Sequence, residues 1–377
     1  YTIYVIYNMN EQDQLQNFLD NAYVRSHSKD TVLAYDLGVR RFKKFLVDRH
    51  DSSLQQITSK LKDKTLDVYE LLRDFVGYLD KSNLKPRTIE LSINAIKGYL
   101  RFGGIKIYSE DFKQVVKMPR KPKTRETPLS KEMLSCLLRN VSPKMQTIVL
   151  VAVSSGMRVG ELGQLKISDI DFDSKPTIIK IRAETTKTRE SRETFLTDEA
   201  RKSLKEYLRR HFNWLEGEPN DQLGEKTIFG RTSVNKKLKN ENITTNYSSS
   251  LLQNTLKYHM KKIPSLNKKN ENGIHVIHFH AFRKFFRTTV GNVCGRDFAE
   301  ALMGHRFYMD TYYLLTEEKK RLMYLDAEPH LTISDFKAVE QNLRTVSEKH
   351  AQLEGKVNEL MEYLRVNSIK IPEFLTS

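Results

Sequence analysis

Apolar residues recur three and four apart along most of this chain, the spacing of helices with one buried stripe. From residue 14 to residue 103 the period is helical. Val32, Tyr35, Val39, Phe42 and Phe45 form one stripe, with Ser28, Asp30 and Thr31 ahead of it as a capping cluster. Residues 66–79 predict a second helix on Val68, Leu72, Phe75 and Leu79. A third opens at Pro86-Arg87-Thr88, with Thr88 as candidate cap, and carries Ile89, Ile93, Ile96 and Leu100. Residues 1–24 are left as an unassigned tail. Its first ten alternate as a strand would, over too short a run to assign.

The pattern breaks after residue 116. Residues 117–125 hold two prolines and five basic side chains, Arg120 and Lys121 among them, which makes an extended linker suited to a phosphate backbone. The expected organisation is a helical domain over 25–116, a basic linker over 117–128 and a second domain over 129–333. Basic residues beside the third helix's stripe (Arg87, Lys97 and Arg101) are candidate phosphate contacts or a solvated face.

In the second domain Ser130 is placed to cap a helix, and the apolar run 147–154 predicts a buried one. A turn at Gly156 then sets Arg158 at the start of a new helix, with Glu161 one turn on. That spacing suits a guanidinium held by its own carboxylate, or an ordinary intrahelical ion pair. Residues 177–181 and 193–197 read as a hairpin whose basic connection, with Lys187 and Arg189, projects from the sheet. A helix is expected over 200–215 and a helical island at 251–260. The expected class is mainly α with a small β-hairpin.

Beyond residue 333 the character changes again. Phe336, Val339, Leu343, Val346, His350, Leu353, Val357, Leu360 and Leu364 alternate at three and four, a coiled-coil seam over 334–366 with one polar position. A helix of that length is about 45 Å long. It pairs with a copy of itself or a partner helix, or folds back as one amphipathic helix. Residues 367–377 are a tail.

Lys plus Arg number 63 against 47 Asp plus Glu in 377 residues, a net charge of +16. A balance this basic points to a polyanion, and nucleic acid is the commonest one in cells. Two cysteines, Cys136 and Cys294, allow at most one disulfide, and no cluster has metal-ligand spacing, so neither a metal nor another cofactor is expected. An intracellular, cytoplasmic setting beside DNA fits. The longest strongly apolar run is too short for a bilayer, and no signal peptide is evident. The chain begins with Tyr rather than Met, so its true start is left open.

The candidate chemistry lies late in the chain. His280 and Arg283 are three apart, so on a helix they share a face and can grip an oxyanion together. Gly304 is placed as a helix stop that turns His305 back toward the same pocket. Tyr308, Tyr312 and Tyr313 follow, each with a hydroxyl that can attack phosphorus if activated. Arg158 and Arg283 can stabilise a five-coordinate phosphate without a metal.

In this order, Ser155-Gly-Met-Arg158-Val-Gly-Glu161-Leu, Thr186-Lys187-Thr-Arg, His280-Ala-Phe-Arg283 and Leu302-Met-Gly-His305 resemble the tyrosine recombinase (phage integrase) family. The resemblance covers roughly residues 25–333 and includes a core-binding domain with Thr31, Tyr35, Thr88 and Ile89 in their usual places. The ending Tyr312-Tyr-Leu-Leu-Thr316-Glu-Glu most resembles archaeal integrases. The resemblance implies an α+β catalytic domain that cleaves and rejoins DNA through a 3′-phosphotyrosyl link. Its implied catalytic residues are Arg158, Lys187, His280, Arg283, His305 and a tyrosine, with Glu161 in support, and Lys187 protonates the departing 5′ oxygen. The implied partner is double-stranded DNA carrying a specific site, bound by a tetramer. In many relatives the nucleophile lies nine residues after the Gly-His histidine, but Leu314 stands there. Tyr312 is four residues before Thr316, the archaeal spacing, and is the expected nucleophile, with Tyr313 as alternative. Type IB topoisomerase-like relaxation, a DNA-binding regulator without catalysis, and an assembly protein built on its coil are the competing readings.

Overall fold

The computed structural model describes residues 11–121, 127–186, 188–214, 224–232, 244–245, 249–271, 273–305 and 315–334, with 350, 352–359 and 361. The chain divides into two compact units, Tyr1–Lys123 and Thr124–Ser377, and the division falls inside the stretch 117–128.

The first unit is helical: α1 Glu11–Ser26, α2 Lys29–His50, α3 Leu54–Lys62, α4 Val68–Lys81, α5 Pro86–Phe102 and α6 Ser109–Val115. Ser28 caps α2, accepting from Thr31 N at 3.3 Å. Asp67 caps α4 through Tyr69 N and Glu70 N at 2.7 and 2.8 Å. The cap of α5 differs from expectation. Lys85 is its N-cap with Pro86 just inside, and Thr88 lies within the helix, because Pro supplies the helical φ without needing a bonded N–H.

Val39, Phe42 and Phe45 of α2, Leu72, Phe75 and Leu79 of α4, and Ile89, Ile93, Ile96 and Leu100 of α5 make the core of this unit. Part of the expected tail belongs to it as well. Residues 11–24 are helical because Phe18 finds apolar partners, stacking on Tyr35 at 5.6 Å and meeting Tyr99 edge-on at 5.5 Å.

The second unit is organised around α8, Pro143–Ser155, which is buried on all sides from Thr147 to Ser155. Beside it lie α7 Lys131–Asn140, capped by Ser130, and the single turn α9 Val159–Leu162. The expected hairpin is part of a three-stranded antiparallel sheet, β1 Ile170–Asp171, β2 Thr177–Ile181 and β3 Arg192–Leu196. Ile178 pairs with Phe195 and Ile179 with Thr194.

Both faces of this sheet are covered. Ile179, Ile181 and Leu196 join the core around α8, whereas Ile178 and Phe195 pack with Phe286, Phe298, Leu302 and Tyr324. Further elements are α10 Asp198–Phe212, β4 Arg231–Thr232, β5 Thr244–Thr245, α11 Ser249–Lys261, α12 Phe279–Cys294, α13 Arg296–Met303 and α14 Glu317–Leu331. The fully buried Tyr324 of α14 donates its hydroxyl to Ser154 O at 2.7 Å, tying α14 to α8.

Glu199 accepts the N–H groups of Ile333 and Ser334 at 2.8 and 3.0 Å, and the Ser334 hydroxyl also donates to it. Of the C-terminal seam, residues 352–359 are helical, with Leu353 and Val357 exposed. The remaining seam positions, His350 apart, lie outside the described residues. Among the described residues no helix is long and apolar enough to cross a membrane.

Candidate active site

Two glycine turns bring distant segments together. Gly156 ends α8 at φ 63°, in the left-handed region, and a Cβ there would overlap the Phe286 ring of α12. Gly304 ends α13 at φ 67°, where a Cβ would come within 2.7 Å of Arg192 Cδ. At each stop the chain reverses against a large side chain. Arg158 follows the first stop by two residues and His305 the second directly, and Arg158 Nη2 stands 3.5 Å from Gly304 O.

Arg158 is the N-cap of α9 and Glu161 is one turn on, as their spacing predicted. Glu161 accepts from Arg158 N at 2.7 Å and from Arg158 Nη1 at 3.0 Å. Its main partner was not visible in the sequence. Arg192, at the start of β3, meets the Glu161 carboxylate as a fork, Nη1 to Oε1 at 3.0 Å and Nη2 to Oε2 at 2.7 Å. Arg192 Nε donates to Leu302 O at 2.9 Å, so one guanidinium links α9, β3 and the end of α13. Burial pushes the Glu161 carboxyl up, but Arg192 and then Arg158 outweigh it and hold the group below the ordinary carboxylate range.

Arg283 lies at the back of the site, only 3% exposed. Its Nη1 donates to Gly156 O, and its Nη2 to Met303 O at 2.7 Å. The same Nη2 stands 3.1 Å from His305 Nε2. Burial, then the charges of Arg158 and Arg192, lower the Arg283 pKa to about 9. A cation held at such a cost favours the arrival of an anion. Arg158 reaches toward Gly304 O at 3.5 Å, and its side chain is 26% exposed, so it can meet a ligand from solvent.

On the far side of His305, Nδ1 contacts Glu300, which also pairs with Arg287. Glu300 and Arg287 went unnoticed in the sequence too; the i,i+5 separation of Glu300 and His305 belongs to no regular helical pairing. A cleft of about 580 Å³ runs beside Arg192, with Lys180, Arg182, Leu302 and Lys320 in its lining.

His280 stands in the first turn of α12, three residues before Arg283. It is exposed there, its ring 6.3 Å from the His278 ring. Lys187, Tyr308, Tyr312 and Tyr313 lie outside the described residues. Arg189 is exposed at φ 60° in the connection between β2 and β3.

In the first unit Arg87 and Lys121 share the Glu90 carboxylate at 2.7 and 2.6 Å, and Arg120 is exposed. Lys97 lies 3.8 Å over the Phe112 ring, and Arg101 donates to Ile107 O at 2.7 Å. Lys97 and Arg101 therefore have partners of their own within the unit, where sequence offered only a phosphate or water.

A model of the phage integrase family matches residues 127–313, and one of the phage integrase N-terminal SAM-like domain matches residues 14–103. Tyrosine recombinase XerC of Treponema denticola is 24% identical over 320 residues, covering 80% of this chain and 98% of its own. Tyrosine recombinase XerA of Thermococcus kodakarensis is 26% identical over 171 residues, 45% of this chain and 52% of that protein. Relatives thus come from a bacterium and an archaeon alike.

Among solved structures, a lambda integrase tetramer bound to a Holliday junction superposes with a TM-score of 0.54 at 15% identity, over 82% of this chain and 81% of that one. XerH site-specific recombinase bound to palindromic difH substrate gives 0.50 at 17%, over 76% and 77%. At these identities the likeness is one of fold. With one model matching in each unit, the chain belongs to the phage integrase family of tyrosine recombinases.

Proposed function

We infer that this protein is a site-specific DNA recombinase that breaks and rejoins strands through a 3′-phosphotyrosyl intermediate. The observation that carries this reading is the buried Arg283, bonded to the turns at Gly156 and Met303 and touching His305, with Arg158 open to solvent beside it. Charge growing on the non-bridging oxygens of a scissile phosphate meets donors already in place, so little reorganisation is needed during reaction.

Tyr312 attacks phosphorus, its phenolic proton released to water as the cationic pocket lowers the proton affinity of the hydroxyl, with Tyr313 as the alternative nucleophile. The O–P bond to the 5′ oxygen breaks as the bond to tyrosine forms, and Lys187 supplies the proton to the departing oxygen. The phosphotyrosyl bond conserves the energy of the broken one, so rejoining needs no ATP. His280, exposed at the start of α12, joins the phosphate contacts once DNA is bound.

Double-stranded DNA with a specific site is the partner, and a tetramer on two sites is the working assembly. The C-terminal seam contributes self-association, and the setting is cytoplasmic, on DNA. The relatives are recombinases and integrases, which favours strand exchange over topoisomerase-like relaxation.

The test is incubation with a nicked suicide duplex carrying a candidate attachment site, followed by a denaturing gel. A covalent protein–DNA band is expected, lost in Tyr312→Phe while binding persists. A band that survives in Tyr312→Phe but not in Tyr313→Phe moves the nucleophile by one residue. Loss in neither overturns the covalent mechanism.

A further inference from the structure

The His305 ring is held between two partners of opposite kind. Nδ1 contacts Oε2 of Glu300, and Nε2 stands 3.1 Å from Arg283 Nη2. Burial pushes the Glu300 carboxyl up, but hydrogen bonds from His305 and Arg287 outweigh it and keep the group below the ordinary carboxylate range. Near neutral pH Glu300 is therefore ionised and can only accept, so Nδ1 carries a proton. A guanidinium can only donate, so Nε2 presents a lone pair to Arg283. One tautomer of neutral imidazole satisfies both contacts, the Nδ1–H form, and it is the one that free imidazole side chains favour less.

Glu300 is itself anchored. It is 6% exposed, Arg287 of α12 donates to it, and Arg296 stands 3.7 Å away one turn earlier on α13. Its backbone carbonyl accepts the N–H of His305 at 3.1 Å, so carboxylate and ring are fixed at both ends of a single turn.

We propose that Glu300 is a positioning residue that holds His305 as the Nδ1–H tautomer, with Nε2 turned to the phosphate side of Arg283. The consequence for catalysis rests on the recombinase reading. When a phosphate oxygen displaces the Arg283 contact, uptake of a proton from the buffered solvent onto Nε2 makes that nitrogen a donor. Nδ1 stays on Glu300, whose charge offsets the imidazolium.

The tautomer can be read directly in the full chain labelled with nitrogen-15 histidine, with His305 assigned by its absence in His305→Gln. In the unprotonated ring of the wild type, Nδ1 is expected to give the shift of a protonated nitrogen and Nε2 that of a bare one. Glu300→Ala is expected to turn His305 over to mainly Nε2–H. Glu300→Gln, whose Oε1 still accepts, is expected to retain Nδ1–H. An Nε2–H wild type overturns the proposal, and this spectrum needs no variant to fold. A tautomer unchanged in Glu300→Ala overturns it as well.

On suicide DNA, adduct formation should fall about 10- to 100-fold in Glu300→Ala, the usual cost of losing an outer-shell partner, and recover in part in Glu300→Gln. An unchanged rate in a Glu300→Ala protein whose ring has turned over also refutes the positioning role. If the wild type forms no adduct yet shows the Nδ1–H ring, the recombinase reading fails while the tautomer assignment stands.

Discussion

Arg192 and Glu161 form a two-bonded fork at 3.0 and 2.7 Å across 31 positions of sequence, with side chains 9% and 1% exposed. The same arginine packs under Gly304 and bonds to Leu302 O, so the Arg158 turn and the His305 turn are braced through one side chain.

Removing Arg192 takes the two-bonded fork from a buried carboxylate and leaves it Arg158 as the remaining cation. Arg192→Ala should lower stability by about 3 kcal/mol, the low end for a broken buried pair. Arg192→Lys, which keeps the charge without the fork, should recover only part of it. Urea unfolding curves of the three proteins decide this, and an Arg192→Ala midpoint equal to wild type would refute the bracing role.

Arg158→Ala and Arg283→Ala should each slow adduct formation by 100-fold or more, about 3 kcal/mol of transition-state stabilisation, while DNA affinity changes far less. Binding is spread over many phosphates, whereas these two donors act at the reacting one. Adduct rates measured beside filter binding separate the two effects. Equal losses in both would mean that the arginines serve binding alone.

The proton affinity of Arg283 is lowered by burial and by its neighbours, so its charge is held at a cost that an anion can offset. Inorganic phosphate should raise the melting temperature more than chloride at equal ionic strength. The gain should approach ~2.7 kcal/mol with the anion at about a hundred times its Kd. The difference should shrink in Arg158→Ala. Identical shifts in both proteins would place the effect elsewhere on this basic surface.

Glu161 and Glu300 are both held below the ordinary carboxylate range. A lowered folded value means that the unfolded chain binds the proton more readily. The stability these groups contribute is therefore complete above about pH 5 and is lost as pH falls through their lowered values. Melting temperatures from pH 7 to pH 3 should fall steeply at the acid end. Glu161→Gln should be less stable at neutral pH and less sensitive to acid. A parallel acid limb in that variant would show that Glu161 is not the group responsible.

Whatever was local in the chain could be read without coordinates. The stripes at Phe42, Phe75 and Ile96, the caps at Ser28 and Ser130, the glycine stops at 156 and 304, and the Arg158–Glu161 turn each depend on residues a few positions apart. Helical periodicity and capping act over that range, so sequence spacing carries them. The motif phrases were legible for the same reason, since each is a short run on one turn or helix.

Pairings across long separations were not. Arg192 looked like one more basic residue of a hairpin connection. It becomes the partner of Glu161 only because β3 pairs with β2 in one register and lies between α9 and the end of α13. Lys97 and Arg101 read as phosphate contacts or a solvated face, and that Phe112 and Ile107 lie against them is set by packing. Glu300 and Arg283 take opposite nitrogens of one imidazole because α12 and α13 pack together and Gly304 reverses the chain. A charged side chain's partner is fixed by packing through space, and no period along the chain encodes it.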